Sequence, residues 1–225
     1  MLENDIRTQF PNYRDLAAAN FNRPHNLWGR RMYQQNPVFQ ELKAKYGMGP
    51  NAVVNRRQII DLFAKKEFYD AYLCSMVWGN IGTFQNGRRN FETAFAIPRQ
   101  EVERKIKSII LLIENNNIEG AFASMCRGGA NQFPGLGVSF FTKILYFVGE
   151  SLNKGNNVLP LIFDSNSIKV LTRIYRDQNS NQVARQTLAH YMSFCNEMSR
   201  ISGNLELPSP GYLEAFLFND GKVLL

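Results

Sequence analysis

Apolar residues recur at intervals of three and four along most of this chain, the spacing that gives an α-helix one continuous apolar face. The clearest case is 98–114. Val102, Ile106, Ile109, Ile110 and Ile113 fall on one side, Arg99, Glu103, Arg104 and Lys107 on the other, and Pro98 takes the first helical position. The same spacing predicts helices over 37–46, 55–76, 117–126, 138–150, 165–176, 181–201 and 210–218. No alternating pattern longer than four residues marks a strand. Glycine and proline separate the helical stretches, at Gly47-Met48-Gly49-Pro50, Gly128-Gly129, Phe133-Pro134-Gly135-Leu136-Gly137, Lys154-Gly155-Asn156-Asn157 and Leu207-Pro208-Ser209-Pro210-Gly211. The expected architecture is all-α and compact, one helical domain over 1–225, divided at most into two lobes.

Composition agrees with a packed core. Of 225 residues, 44% are hydrophobic, 12% aromatic and 20% charged, which excludes a disordered chain. The formal charge of +7 attracts anions, and nucleic acid is the commonest anionic partner of a basic domain. Cys74, Cys126 and Cys195 are odd in number and far apart, there is no C-x-x-C, and His25 and His190 are distant. Neither a disulfide framework, a metal centre nor a cofactor is expected. The polar, acidic start and the absence of an 18-residue apolar run lead us to expect a cytoplasmic protein without a membrane segment.

The most informative segment runs from 118 to 176. One helix ends at Gly128-Gly129, and Phe133-Pro134-Gly135-Leu136-Gly137 turns into a second, very apolar helix. Glycines at alternate positions permit a tight turn. The backbone amides of Gly135, Leu136, Gly137, Val138 and Ser139, at a helix N-terminus, can face a phosphate without reading a base. An ordinary helix–turn–helix corner has the same glycines.

Phe-Pro-Gly-Leu-Gly followed by a helix resembles the Leu-Pro-Gly-Val-Gly hairpin of the helix-hairpin-helix DNA glycosylases, the superfamily that includes 8-oxoguanine DNA glycosylase. Within it, the chain is most similar to small bacterial proteins described as having an 8-oxoguanine glycosylase fold. The resemblance is carried by 133–175 and implies a hairpin that grips double-stranded DNA, a nucleophilic lysine early in the second hairpin helix, and an aspartate at the start of the next helix. This sequence supplies Lys143 and Asp164. It departs from the pattern in two respects. Where the family's lysine usually stands, two residues after the second glycine, there is Ser139, and Lys143 lies one turn later, about 6 Å along the axis. The linker to the aspartate, through 150–157, is also longer. Ser139, Lys143 and Tyr146 are expected to share one stripe of the helix, with Phe140, Phe141, Ile144, Leu145 and Val148 on the other side.

The resemblance implies an N-glycosylase, with apurinic-site lyase activity if Lys143 forms a Schiff base. A carboxylate at Asp164 would stabilise positive charge developing on the sugar. Both residues have plainer roles open to them: Asp164 as the N-cap of its helix with Ser167 completing the local bonds, and Lys143 snorkelling to solvent or phosphate. Base flipping needs flat or apolar side chains, for which Trp78, Phe91, Phe95, Tyr191 and Phe216 are candidates, Trp78 first as pocket wall or wedge. The basic residues Arg23, Arg30-Arg31, Arg56-Arg57, Lys65-Lys66 and Arg88-Arg89 are scattered, and Trp28 adjoins one pair. Bacterial proteins of this kind are also met in antiviral defence loci, so the resemblance implies a modified viral base as a target beside oxidised guanine. The alternatives are a non-catalytic helix-hairpin-helix DNA-binding module and a helical protein–protein adaptor.

Overall fold

The computed structural model describes residues 2–23, 35–46, 53–79, 92–152, 158–178, 180 and 182–224. It is helical, with no β-strand among the described residues. The helices are α1 (Leu2–Gln9), α2 (Tyr13–Phe21), α3 (Pro37–Lys45), α4 (Arg56–Ala64), α5 (Phe68–Trp78), α6 (Arg99–Glu114), α7 (Ile118–Met125), α8 (Val138–Leu152), α9 (Ser165–Asp177), α10 (Leu188–Asn204) and α11 (Pro210–Phe218). A short 3-10 turn, Asp220–Leu224, follows α11. No helix among the described residues is long and apolar enough to cross a membrane.

The ends of these helices explain most of the differences from the hydrophobic pattern. The stretch predicted as one helix over 55–76 is two. Lys66 adopts φ 62, and two backbone bonds close a Schellman turn there, Glu67 N to Leu62 O (2.9 Å) and Lys66 N to Phe63 O (3.0 Å). A lysine in the position glycine normally holds hides this break from a reading based on glycine and proline. Asn116 (φ 57) ends α6 and Glu206 (φ 55) ends α10 in the same way. The helix predicted from 181 begins only at Leu188, because Thr187 is its N-cap and accepts from the His190 amide at 3.3 Å. Val183, part of the apparent apolar spacing, is exposed. Pro98 stands just before α6 as its N-cap, one residue earlier than expected.

Helices α1 and α2 have no counterpart in the expectations. Tertiary contacts hold them against the other end of the chain: Glu3 to Arg200 and Asp5 to Arg173, each at 2.7 Å, and Tyr13 Oη donating to the Leu205 carbonyl at 3.0 Å. Helix α2 packs on α11, which in turn packs on α10.

Helix α8 lies at the centre, against α4, α5, α6 and α7. Every residue from Phe141 to Gly149 is buried, as the sequence of a helix apolar on nearly all sides requires. The expected stripe of Ser139, Lys143 and Tyr146 is therefore not a solvent face. Tyr146 is fully buried, and its ring packs at 5.0 Å from that of Phe147.

Replacing the exposed Lys66 with glycine removes a left-handed side-chain penalty that the gain in unfolded-chain entropy offsets in part. We expect a gain of about 0.5–1 kcal/mol, read as a higher urea midpoint at unchanged slope. An unchanged or lower midpoint would show that this turn stores no strain.

Candidate active site

The connection between α7 and α8 is a hydrogen-bonded loop. Asn131, almost fully buried, donates from its amide nitrogen to Ser108 Oγ (3.0 Å) and Ser124 Oγ (3.1 Å), while its backbone N–H reaches the Ser124 carbonyl at 2.8 Å. Lys105 of α6, also buried, donates to the Gln132 carbonyl and lies 5.4 Å from the centre of the Phe133 ring. These contacts hold a type II turn at Phe133–Leu136, in which the Leu136 N–H donates to the Phe133 carbonyl at 3.1 Å and Gly135 takes φ 79. Pro134, Gly135 and Gly137 are exposed, whereas Leu136 is buried as the anchor of the turn. The Gly137 carbonyl accepts the first bonds of α8, from Phe140 (2.9 Å) and Phe141 (3.1 Å). The N–H groups of Gly137, Val138 and Ser139 have no partner among the described residues, as the first turn of a helix leaves them.

One turn into α8, Lys143 is only 8% exposed. Its aliphatic stem crosses Gly79 at the end of α5, where a Cβ would lie 2.7 Å from Lys143 Cδ, so glycine at that position makes room for the side chain. The amine does not snorkel. It donates to the Ser139 carbonyl at 2.5 Å and lies 5.1 Å from the Phe140 ring centre. Burial holds its pKa below the ordinary lysine range. The nearby Asp164 and Glu214 carboxylates pull it upward and the Arg56 guanidinium pushes it down.

Asp164 is the N-cap of α9. Its Oδ1 accepts from the amides of Asn166 (2.8 Å) and Ser167 (3.2 Å), and Ser167 Oγ accepts from the Asp164 N–H at 3.2 Å, a reciprocal capping box. Oδ2 accepts no hydrogen bond among the described residues. One oxygen thus builds the helix and the other is left over.

Two residues that sequence reasoning did not single out position this aspartate against α8. Thr142, fully buried, donates to the Val138 carbonyl at 2.7 Å and accepts from the Phe163 amide at 3.0 Å. Gln186 donates to both Ser139 Oγ (3.1 Å) and the Phe163 carbonyl (3.2 Å). Thr142 was visible as a polar residue inside an apolar helical run; Gln186 left no sequence signal. Arg127, next to Gly128, and Arg185, next to Gln186, are exposed and form no ion pair among the described residues.

Arg56 is not a surface cation. It is 5% exposed and paired to Glu214 of α11 at 2.8 Å. Its guanidinium lies 4.9 Å from the Trp78 ring centre and 5.1 Å from that of Tyr146. Trp78 itself is half-buried, edge-on to Phe147 at 5.4 Å, one residue from the Gly79 that Lys143 crosses. The other aromatic candidates do not join it. Phe95 packs on Phe39 (4.8 Å), Tyr191 stacks on Phe122 (4.5 Å), and Phe216 meets Phe10 (5.2 Å), so these three are core. Arg57, Lys65 and Lys66 are exposed, and Arg23 donates to Asn219 Oδ1 at 3.2 Å. Phe91, Trp28, Arg30-Arg31 and Arg88-Arg89 lie outside the described residues.

Over residues 15–218 the sequence matches the family model described as "Putative 8-oxoguanine DNA glycosylase OGG-like protein". The match extends over most of the chain, from α2 through α11. The chain belongs to this OGG-like family of DNA glycosylases, and membership implies DNA as the substrate. No curated protein and no solved structure matches it.

Asp164→Ala removes the cap and is expected to cost about 1 kcal/mol of stability, whereas Asp164→Asn keeps an acceptor oxygen and costs less than half of that. Urea denaturation of the two variants checks this; equal losses would show that Oδ1 does not hold the helix.

Proposed function

We propose that this chain excises a damaged or modified base from duplex DNA, with Lys143 as the nucleophilic amine and Asp164 as the stabilising carboxylate. The observation that carries the reading is a lysine amine buried in an apolar helix, where the preceding Thr142 is bonded at 3.0 Å to the Phe163 amide, next to an aspartate with one oxygen uncommitted among the described residues. Burial favours the neutral amine, the form that attacks. Attack at the anomeric carbon breaks the N-glycosidic bond, and the base leaves with the bonding electron pair and takes up a proton. Opening of the sugar ring then gives a Schiff base, from which β-elimination nicks the strand. The Asp164 carboxylate, beside the reacting carbon, stabilises the positive charge that develops on the sugar.

The unpartnered amides of Gly137, Val138 and Ser139 are the proposed grip on a DNA phosphate, with Gly135 and Leu136 shaping the turn. Arg127 and Arg185, both exposed, add positive charge. Trp78 serves as pocket wall. With Asp164 activating water instead, the same site would release a base without strand cleavage.

The test is borohydride trapping on duplexes carrying 8-oxoguanine, bulky modified bases of viral type, and apurinic sites. We expect a covalent adduct that Lys143→Ala abolishes, and base release that Asp164→Asn lowers by at least a hundredfold. Base release without an adduct would assign the water mechanism. Salt-dependent binding with neither product would mean that the chain is a DNA-binding module.

Gly137 offers a separate check on the phosphate contact. A Cβ there meets nothing within 4 Å, so Gly137→Ala leaves the free protein undisturbed. If a phosphate approaches these amides, the added methyl is expected to weaken duplex binding about tenfold at an unchanged melting temperature. Unchanged binding would move the DNA contact elsewhere.

A further inference from the structure

Three charged side chains from separate elements are buried near one another: Arg56 at the start of α4, Lys143 in α8 and Glu214 in α11. The Arg56 guanidinium lies 4.9 Å from the ring centre of Trp78, whose neighbour Gly79 the Lys143 stem crosses, and 5.1 Å from that of Tyr146, three residues along α8 from Lys143. Asp164, capping α9, is partly buried. Arg56 and Glu214 form a direct pair at 2.8 Å through Glu214 Oε2. Glu214 is completely buried, and its Oε1 accepts no hydrogen bond among the described residues. Lys143 is in no ion pair of its own among the described residues, so its amine feels these charges through space. Helix α11 approaches α8 closely, since a Cβ on Gly211 would lie 2.7 Å from Tyr146 Oη. Toward Lys143, α5 presents the uncharged Gly79, and its own helix presents the Ser139 carbonyl and the Phe140 ring.

We infer that the Arg56–Glu214 pair, packed against Trp78 and Tyr146 beside the buried stem of Lys143, is the electrostatic support of the reacting lysine. The two are positioning residues: neither touches the reacting carbon. Their effects on Lys143 have opposite signs, and the effect of Asp164 is additional to both. A buried pair kept merely for packing could be replaced by uncharged residues without moving the titration of a third group. The inference rests on the reading of Lys143 as the attacking amine.

The experiment follows the Lys143 amine directly, by the pH dependence of its ¹³Cε and ¹⁵Nζ shifts, assigned through their loss in Lys143→Met. The pH profile of the trapped adduct is measured in parallel. Glu214→Gln keeps the shape and removes the negative charge, and it is expected to lower the midpoint by about one pH unit. Arg56→Met/Glu214→Gln differs from it only by loss of the cation, and its midpoint is expected between that of Glu214→Gln and the wild type. The double variant leaves neither member of the pair as a buried charge without its partner, so it remains informative if the single variant does not fold. Midpoints that stay at the wild-type value in the folded variants would overturn the inference. A shifted amine titration with no adduct in any protein would instead overturn the nucleophile reading and leave the electrostatic coupling standing.

Discussion

The burial of α8 on every side is the constraint from which the rest of the site follows. A polar group in such a helix has no water to satisfy it, so each one must find a partner or shift its protonation. Thr142 finds two, its own helix at Val138 and the Phe163 amide. That second bond ties the segment carrying Asp164 to the helix carrying Lys143. Lys143 itself turns back to the Ser139 carbonyl and gives up part of its proton affinity. Buried in this way, an inert surface cation becomes a candidate reagent.

Magnitudes separate the charges that matter here from those that do not. Arg14 and Glu206 form an ion pair in which both side chains are more than half exposed, and water screens such a pair so that it adds little to stability. Arg56 and Glu214 are withdrawn from water, and removing one partner of a buried pair costs about 3–5 kcal/mol. The buried set therefore governs how α4, α8 and α11 sit against one another, while most of the net positive charge remains outside for attraction at longer range.

Much of this was readable from the residues alone, and the omissions share a cause. The spacing of Val102, Ile106, Ile109 and Ile113 located α6, and the Asp164-to-Ser167 spacing located the cap of α9, because both depend on neighbours within four positions. The break at Lys66 was missed because a lysine took a conformation usually left to glycine. Arg56 read as one half of a scattered basic pair, although its partner Glu214 is 158 positions away. Gln186 and the contacts of α1 and α2 were hidden for the same reason. Phe95, Tyr191 and Phe216 were plausible pocket aromatics by type, but type does not say which side of a helix faces the core.

The contact of α2 with α11 has a consequence for the order in which the molecule can form. The partners of the first two helices lie far along the chain, Arg173, Arg200 and Leu205 being 168, 197 and 192 positions from the residues they hold, and α11 lying further from α2 in sequence than α8 does. Until they emerge, the apolar faces of α1 and α2 have nothing to cover them, and helices of eight and nine residues do not persist alone in water. The nascent segment of α1 and α2 therefore stays unstructured until these distant partners have been made, and that part of the fold closes only when the two regions meet.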